Sequence, residues 1–136
     1  MPNTIEHVGV VVDNVAEAKA FLGDVLGLEF DREVDLPERG VKAAFYKSGS
    51  IQIEVIECTN PETRSRRLGP DGTKARIEHV AILVDDLVGH LDKLRATGVR
   101  TIPEQPPYTV TPGRTWVMTD PDTSDGVMYQ IIQLDS

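Results

Sequence analysis

Two histidines carry the first chemical signal. His7 and His79 sit in the same tetrapeptide, Ile5-Glu6-His7-Val8 and Ile77-Glu78-His79-Val80, and an apolar run ending in Asp13 or Asp85 follows each copy. An imidazole on a mostly apolar strand becomes a candidate metal ligand when a second imidazole and oxygen donors can join it. The oxygen donors come from strand-like stretches further along: Gln52, Glu54 and Glu57 after the first histidine, Gln130 and Gln133 after the second. Glu54 lies 47 positions after His7 and Gln130 lies 51 after His79, so the two are repeat equivalents separated by a few loop residues of difference. Both interrupt apolar neighbours, Ile53 and Val55 in one case, Tyr129 and Ile131 in the other. An inward polar group there needs a partner, because burying it alone is costly. Two imidazoles, one carboxylate and one amide oxygen make a site for a divalent first-row metal with positions left open for substrate. Gln52 shares the strand parity of Glu54, so a register change of two would exchange them.

Such a site requires both histidine strands to turn the histidine face toward a common space. In residues 4–12, parity places Ile5, His7, Gly9 and Val11 on one face and Glu6, Val8, Val10 and Val12 on the other. Asp13-Asn14 caps a helix predicted over 15–26, with Val15, Ala18, Phe21, Leu22, Val25 and Leu26 at helical spacing and Gly27 at its end. Strands are predicted over 28–34, 41–47 and 51–57, with a turn at Leu36-Pro37-Glu38-Arg39-Gly40 and a hairpin at Ser48-Gly49-Ser50. The second copy repeats the script: a strand over 77–84, a helix over 87–97, a short strand over 99–102, a proline-rich loop over 103–113, and strands over 115–119 and 127–134. The expected class is α+β, with two paired βαβββ modules, about 4–58 and 77–135, joined by a linker over 59–76 in a single domain over 1–136. One helix cannot cover both faces of its sheet. The Val8-Val10-Val12 face suits the helix, and the two histidine faces are then free to curve into a shared cup.

Composition narrows the partners. A net charge of −8 over 136 residues disfavours nucleic acid and anionic membranes. The single cysteine, Cys58, excludes an internal disulfide and suits a reducing compartment. No apolar stretch approaches the ~20 residues of a membrane span, and the first strand begins within a few residues of Met1, leaving no room for a signal peptide. A cytoplasmic location is expected. The linker holds the one basic cluster of an acidic chain, Arg64, Arg66 and Arg67. It reads either as a solvated connector or as an anion site for a phosphate-bearing substrate.

Taken together, these residues resemble the vicinal oxygen chelate superfamily, which includes glyoxalase I, methylmalonyl-CoA epimerase, extradiol dioxygenases and bleomycin-resistance proteins. The resemblance spans essentially the whole chain and is greatest to the epimerases. It rests on Glu6 to Val12, on Phe21-Leu22 with Val25-Leu26-Gly27-Leu28, on Leu36-Pro37-Glu38-Arg39-Gly40-Val41, on Glu78-His79-Val80-Ala81 and on Gly126-Val127. It implies a glyoxalase-like fold and a divalent ion (cobalt, nickel, zinc, manganese or iron) held by His7, Glu54, His79 and Gln130. Glu38 would be the general base, removing a proton beside a carbonyl before reprotonation on the opposite face. The implied substrate is a small molecule, an acyl-CoA whose phosphate could meet Arg64, Arg66 and Arg67, and small members of the superfamily commonly form homodimers. There is one departure. Epimerases usually place a glutamate on the last strand, where this chain has Gln130, and an amide binds metal but cannot shuttle protons. Three readings therefore stay open: an epimerase-like isomerase, a glyoxalase I-like lyase or other metal enzyme of the superfamily, and a metal-free protein that sequesters a drug-like ligand. The two histidines count against the last.

Overall fold

A computed structural model describes residues 3–102 and 108–136. The elements in chain order are β1 (Thr4–Val12), α1 (Val15–Ala20), β2 (Glu29–Leu36), β3 (Val41–Ser48), β4 (Ile51–Cys58), α2 (Pro61–Arg67), β5 (Ala75–Leu83), α3 (Leu87–Ala96), β6 (Thr101–Ile102), β7 (Thr109–Thr111), β8 (Arg114–Thr119) and β9 (Met128–Leu134). Strand pairing is mixed and helices are few, which makes the fold α+β. The chain divides into two compact units, an N-terminal one over His7–Glu78 and a C-terminal one over His79–Ser136 that also takes in residues 1–6. Among the described residues no helix is long and apolar enough to cross a membrane.

In the N-terminal unit the strand order is β2-β3-β4-β1. β1 runs parallel to β4, and the β2–β3 and β3–β4 pairs are antiparallel. Parity works as the alternation demands. Val10 and Val12 face α1 in a core with Val15, Ala18, Leu22, Ala44, Tyr46 and Val55, whereas Val11 packs on the other side with Cys58 and Leu68. Asn14 caps α1 by accepting from the Glu17 N–H at 2.9 Å. Past Ala20 the helix widens into a π-helical turn over Phe21–Val25, closed by Leu26 N–H to the Phe21 carbonyl at 2.9 Å. That widening rotates the apolar stripe expected from helical spacing. Leu22 reaches the core, but Phe21, Val25 and Leu26 stay exposed.

The stretch over 59–76 is more than a connector. Asn60 accepts from the N–H groups of Glu62 and Thr63, and Pro61 occupies the first position of α2, where its missing N–H costs nothing.

In the C-terminal unit the order is β5-β9-β8-β6, with β7 paired to β8. β5 is parallel to β9, and β8 is antiparallel to its neighbours. Leu87 and Leu91 of α3 are buried against Val84, Val117 and Ile131, with Ile82, Leu94 and Tyr129 packed beside them. The short strand expected over 99–102 contracts to Thr101–Ile102. Of the loop expected over 103–113, residues 103–107 lie outside the described residues, and the remainder contains β7.

Candidate metal centre

In the N-terminal unit, β1 and β4 are registered so that His7 pairs with Gln52 and Gly9 with Glu54. Registered partners share a face, so all four belong to the face away from α1. Gly9 has no side chain to fill the space beside Glu54. Nε2 of His7 comes 3.2 Å from Oε1 of Glu54. His7 is 2% exposed and the Glu54 side chain 16%. The two atoms are close enough for an N–H···O bond or for coordination of one ion. Phe45, opposite Glu54 on β3, meets His7 edge-on with ring centroids 5.7 Å apart.

The exchange of Gln52 and Glu54 that parity left open is resolved here. Gln52 turns toward β2: its Nε2 donates to Asp31 Oδ2 at 2.8 Å, and its Oε1 lies 3.4 Å from Arg32 Nη1. Glu54 keeps the histidine.

The C-terminal unit repeats the arrangement. His79 pairs with Met128 and Ala81 with Gln130. In both units, then, the oxygen donor sits opposite the residue two positions after the histidine, and that residue is Gly9 or Ala81. His79 is 2% exposed and Gln130 is 7% exposed. Gln130 shares a face with His79. Imidazole nitrogen with a hard oxygen donor suits a divalent first-row cation, so the residues of each unit fit such an ion.

The other strand acceptors do structural work. Glu57 Oε1 accepts from the Val15 N–H at 2.9 Å, and Gln133 Oε1 accepts from the Leu87 N–H at 2.8 Å. Each satisfies a donor that the first turn of α1 or α3 leaves without a partner. The glutamates of the repeated tetrapeptide are likewise held by arginines. Glu6 takes Arg114 at 2.6 and 3.2 Å, and Glu78 takes Arg67 at 2.7 and 2.8 Å.

Of the three linker arginines, Arg67 is therefore committed to Glu78. Arg64 forms an ion pair with Asp13 and also donates to its carbonyl at 3.1 Å, and Arg66 is exposed on α2. Glu38 stands in a single 3-10 turn, Pro37–Arg39, closed by Gly40 at φ 65°. It is exposed and lies beyond the last rung of the β2–β3 ladder. Four rungs separate the Phe45–Glu54 pair from the Val41–Cys58 pair bordering that turn, a distance of about 13 Å along the strands.

Residues 6–116 match the model of the Glyoxalase/Bleomycin resistance protein/Dioxygenase superfamily. The chain belongs to that superfamily. Within it, the mitochondrial methylmalonyl-CoA epimerase of Bos taurus is 26% identical over 129 residues, covering 95% of this chain and 73% of the relative. The uncharacterized protein YqjC of Bacillus subtilis is 26% identical over 131 residues, covering 96% of this chain and 92% of the relative. The methylmalonyl-CoA epimerase of Mycobacterium tuberculosis superposes with a TM-score of 0.83 at 20% identity, over 97% of this chain and 88% of that one. A methylmalonyl-CoA epimerase in complex with methylmalonyl-CoA and NH4+ gives a TM-score of 0.82 at 20% identity, over 100% of this chain and 97% of that one. These superpositions establish the shared glyoxalase-like fold.

Proposed function

We propose that the chain is an epimerase-like enzyme that removes the proton α to the carbonyl of an acyl-CoA bearing a carboxylate on the same carbon, with a divalent ion held by His7, Glu54, His79 and Gln130. The observation that carries this reading is the matched registration of an oxygen donor two positions beyond each histidine, Glu54 at Gly9 and Gln130 at Ala81. The similarity to methylmalonyl-CoA epimerases supplies the substrate class. When bound, the ion supplies fixed positive charge where negative charge develops on the substrate oxygens.

The remaining work falls to the chain. His7 and His79 present imidazole nitrogens from buried strand positions, and the Phe45 ring packs against the ring of His7. Glu54 supplies the anionic donor and Gln130 a neutral one. Glu38 is the proposed base, taking the α-proton onto its carboxylate and returning a proton after the carbon has been exposed on its other side. Because Gln130 cannot carry a proton, this assignment leaves Glu38 and Glu54 as the carboxylates available for the exchange. A homodimer is proposed as the working form.

The test follows deuterium entry at the α-carbon of methylmalonyl-CoA in heavy water, by nuclear magnetic resonance, for wild type and Glu38→Ala. A base of this kind contributes roughly 10²–10⁴ in rate, and a loss of that size is expected. Equal rates in the two proteins would remove Glu38 from the mechanism. Absence of exchange in metal-loaded wild type would remove the epimerase reading itself.

A further inference from the structure

Arg32 lies on β2, the edge strand of the N-terminal unit, and a bulge decides where it points. Phe30 pairs with Tyr46, and the next registered pair is Arg32 with Phe45, so Asp31 is the extra residue. Phe30 therefore sits on the helix side, where its ring meets Tyr46 at 5.6 Å between centroids. Regular alternation would put Arg32 on that side too. The bulge instead sends it to the face of Phe45, Glu54 and His7.

There the guanidinium carbon stands 3.8 Å from the centroid of the Phe45 ring, the same ring that meets His7. Asp31 Oδ2 accepts from Arg32 Nη1 at 2.7 Å and from Gln52 Nε2 at 2.8 Å, so two neighbours orient the guanidinium from one side. Those two donors hold the Asp31 carboxyl below the usual carboxylate value, which keeps it charged near neutral pH. Lys47 lies 3.7 Å from Asp31 and 3.3 Å from Glu29, so Asp31 is shared by two cations and does not cancel Arg32 alone. Among the described residues, Nε and Nη2 of Arg32 donate to nothing. The side chain is 40% exposed, and its Cα is two strands, about 10 Å, from that of Glu54. An arginine stacked on an aromatic ring with one edge of its fork open is arranged to receive a planar anion.

We propose that Arg32 is a specificity-determining residue that receives a carboxylate of the substrate beside the His7–Glu54 pair. The proposal deepens the epimerase-like reading, on which it rests for the identity of the acyl group. It makes Arg32 the residue that separates acyl thioesters carrying a free carboxylate from their uncharged counterparts.

The test is calorimetric titration of the metal-loaded full chain with methylmalonyl-CoA, with propionyl-CoA, which lacks the carboxylate, and with coenzyme A. Wild type, Arg32→Lys and Arg32→Gln are compared. Arg32→Gln is expected to weaken methylmalonyl-CoA roughly 10–100-fold while leaving propionyl-CoA and coenzyme A within about twofold, with Arg32→Lys recovering only part of the loss. Unchanged methylmalonyl-CoA binding overturns the proposal. Equal weakening of all three ligands also overturns it, since Arg32 would then be reading coenzyme A phosphates. If wild type binds no thioester, malonate is the probe. Loss of malonate in Arg32→Gln upholds Arg32 while the acyl-CoA reading fails, and absence of malonate binding in wild type overturns both.

Discussion

Glu54 and Gln130 are nearly the same size, so the difference between them is one of charge. In the proposed ligand set the other donors are imidazoles and an amide, so Glu54 is the one negative charge set against the two positive charges of the ion. Its replacement by glutamine should then cost more affinity than its size suggests, at least about tenfold, the scale on which loss of even a supporting partner is felt. Gln130→Glu should strengthen binding. The double variant Glu54→Gln/Gln130→Glu should return most of what the first change removes, because it moves the carboxylate to the equivalent position in the other unit. Competition with a chromophoric chelator gives the four affinities, and a double variant no better than Glu54→Gln would mean that the two positions do not serve one ion.

At the scale of elements, each unit ties its helix to its last strand through one side chain, Glu57 to the first turn of α1 and Gln133 to that of α3. Glu57→Ala and Gln133→Ala should each lower stability by about 1–2 kcal/mol, the cost of stranding a helix-end donor, and Glu57→Gln should restore most of it. Urea unfolding monitored by circular dichroism reads these differences. The same elements divide what the chain discloses from what it conceals. Alternation in residues 4–12 was enough to put Val10 and Val12 under α1 and His7 on the open face, because period-two patterns survive folding. The acceptors on β4 and β9 were visible as polar interruptions, yet parity alone could not separate Glu54, turned to His7, from Gln52, turned to Asp31 and Arg32. Three features depended on geometry that parity cannot express. The π-helical turn at Phe21–Val25 rotated an apolar stripe out of the core. The bulge at Asp31 reversed the face of Arg32. The partners of Arg64 and Arg67, Asp13 and Glu78, are distant in sequence. One signal was legible and passed over: Asn60-Pro61 is a cap followed by a first helical position, which marks the start of α2.

At the scale of the molecule, the proposed ion should behave as a ligand of the folded state alone. At a free concentration one hundred times its dissociation constant it would add about 2.7 kcal/mol, which is several degrees in Tm for a chain of this length. Removing divalent ions with a chelator should lower Tm by that much in wild type and leave His7→Ala unmoved; thermal scanning with and without the chelator makes the comparison. The bulge has a consequence of another kind. An outermost strand with a straight run of unpaired N–H and C=O groups invites another chain to zip onto it. On β2 the extra residue breaks that run near its start, and Glu29, Asp31, Arg32, Glu33 and Asp35 crowd it with charge. The kink that turns Arg32 toward the histidine also protects this margin from fibre-like association.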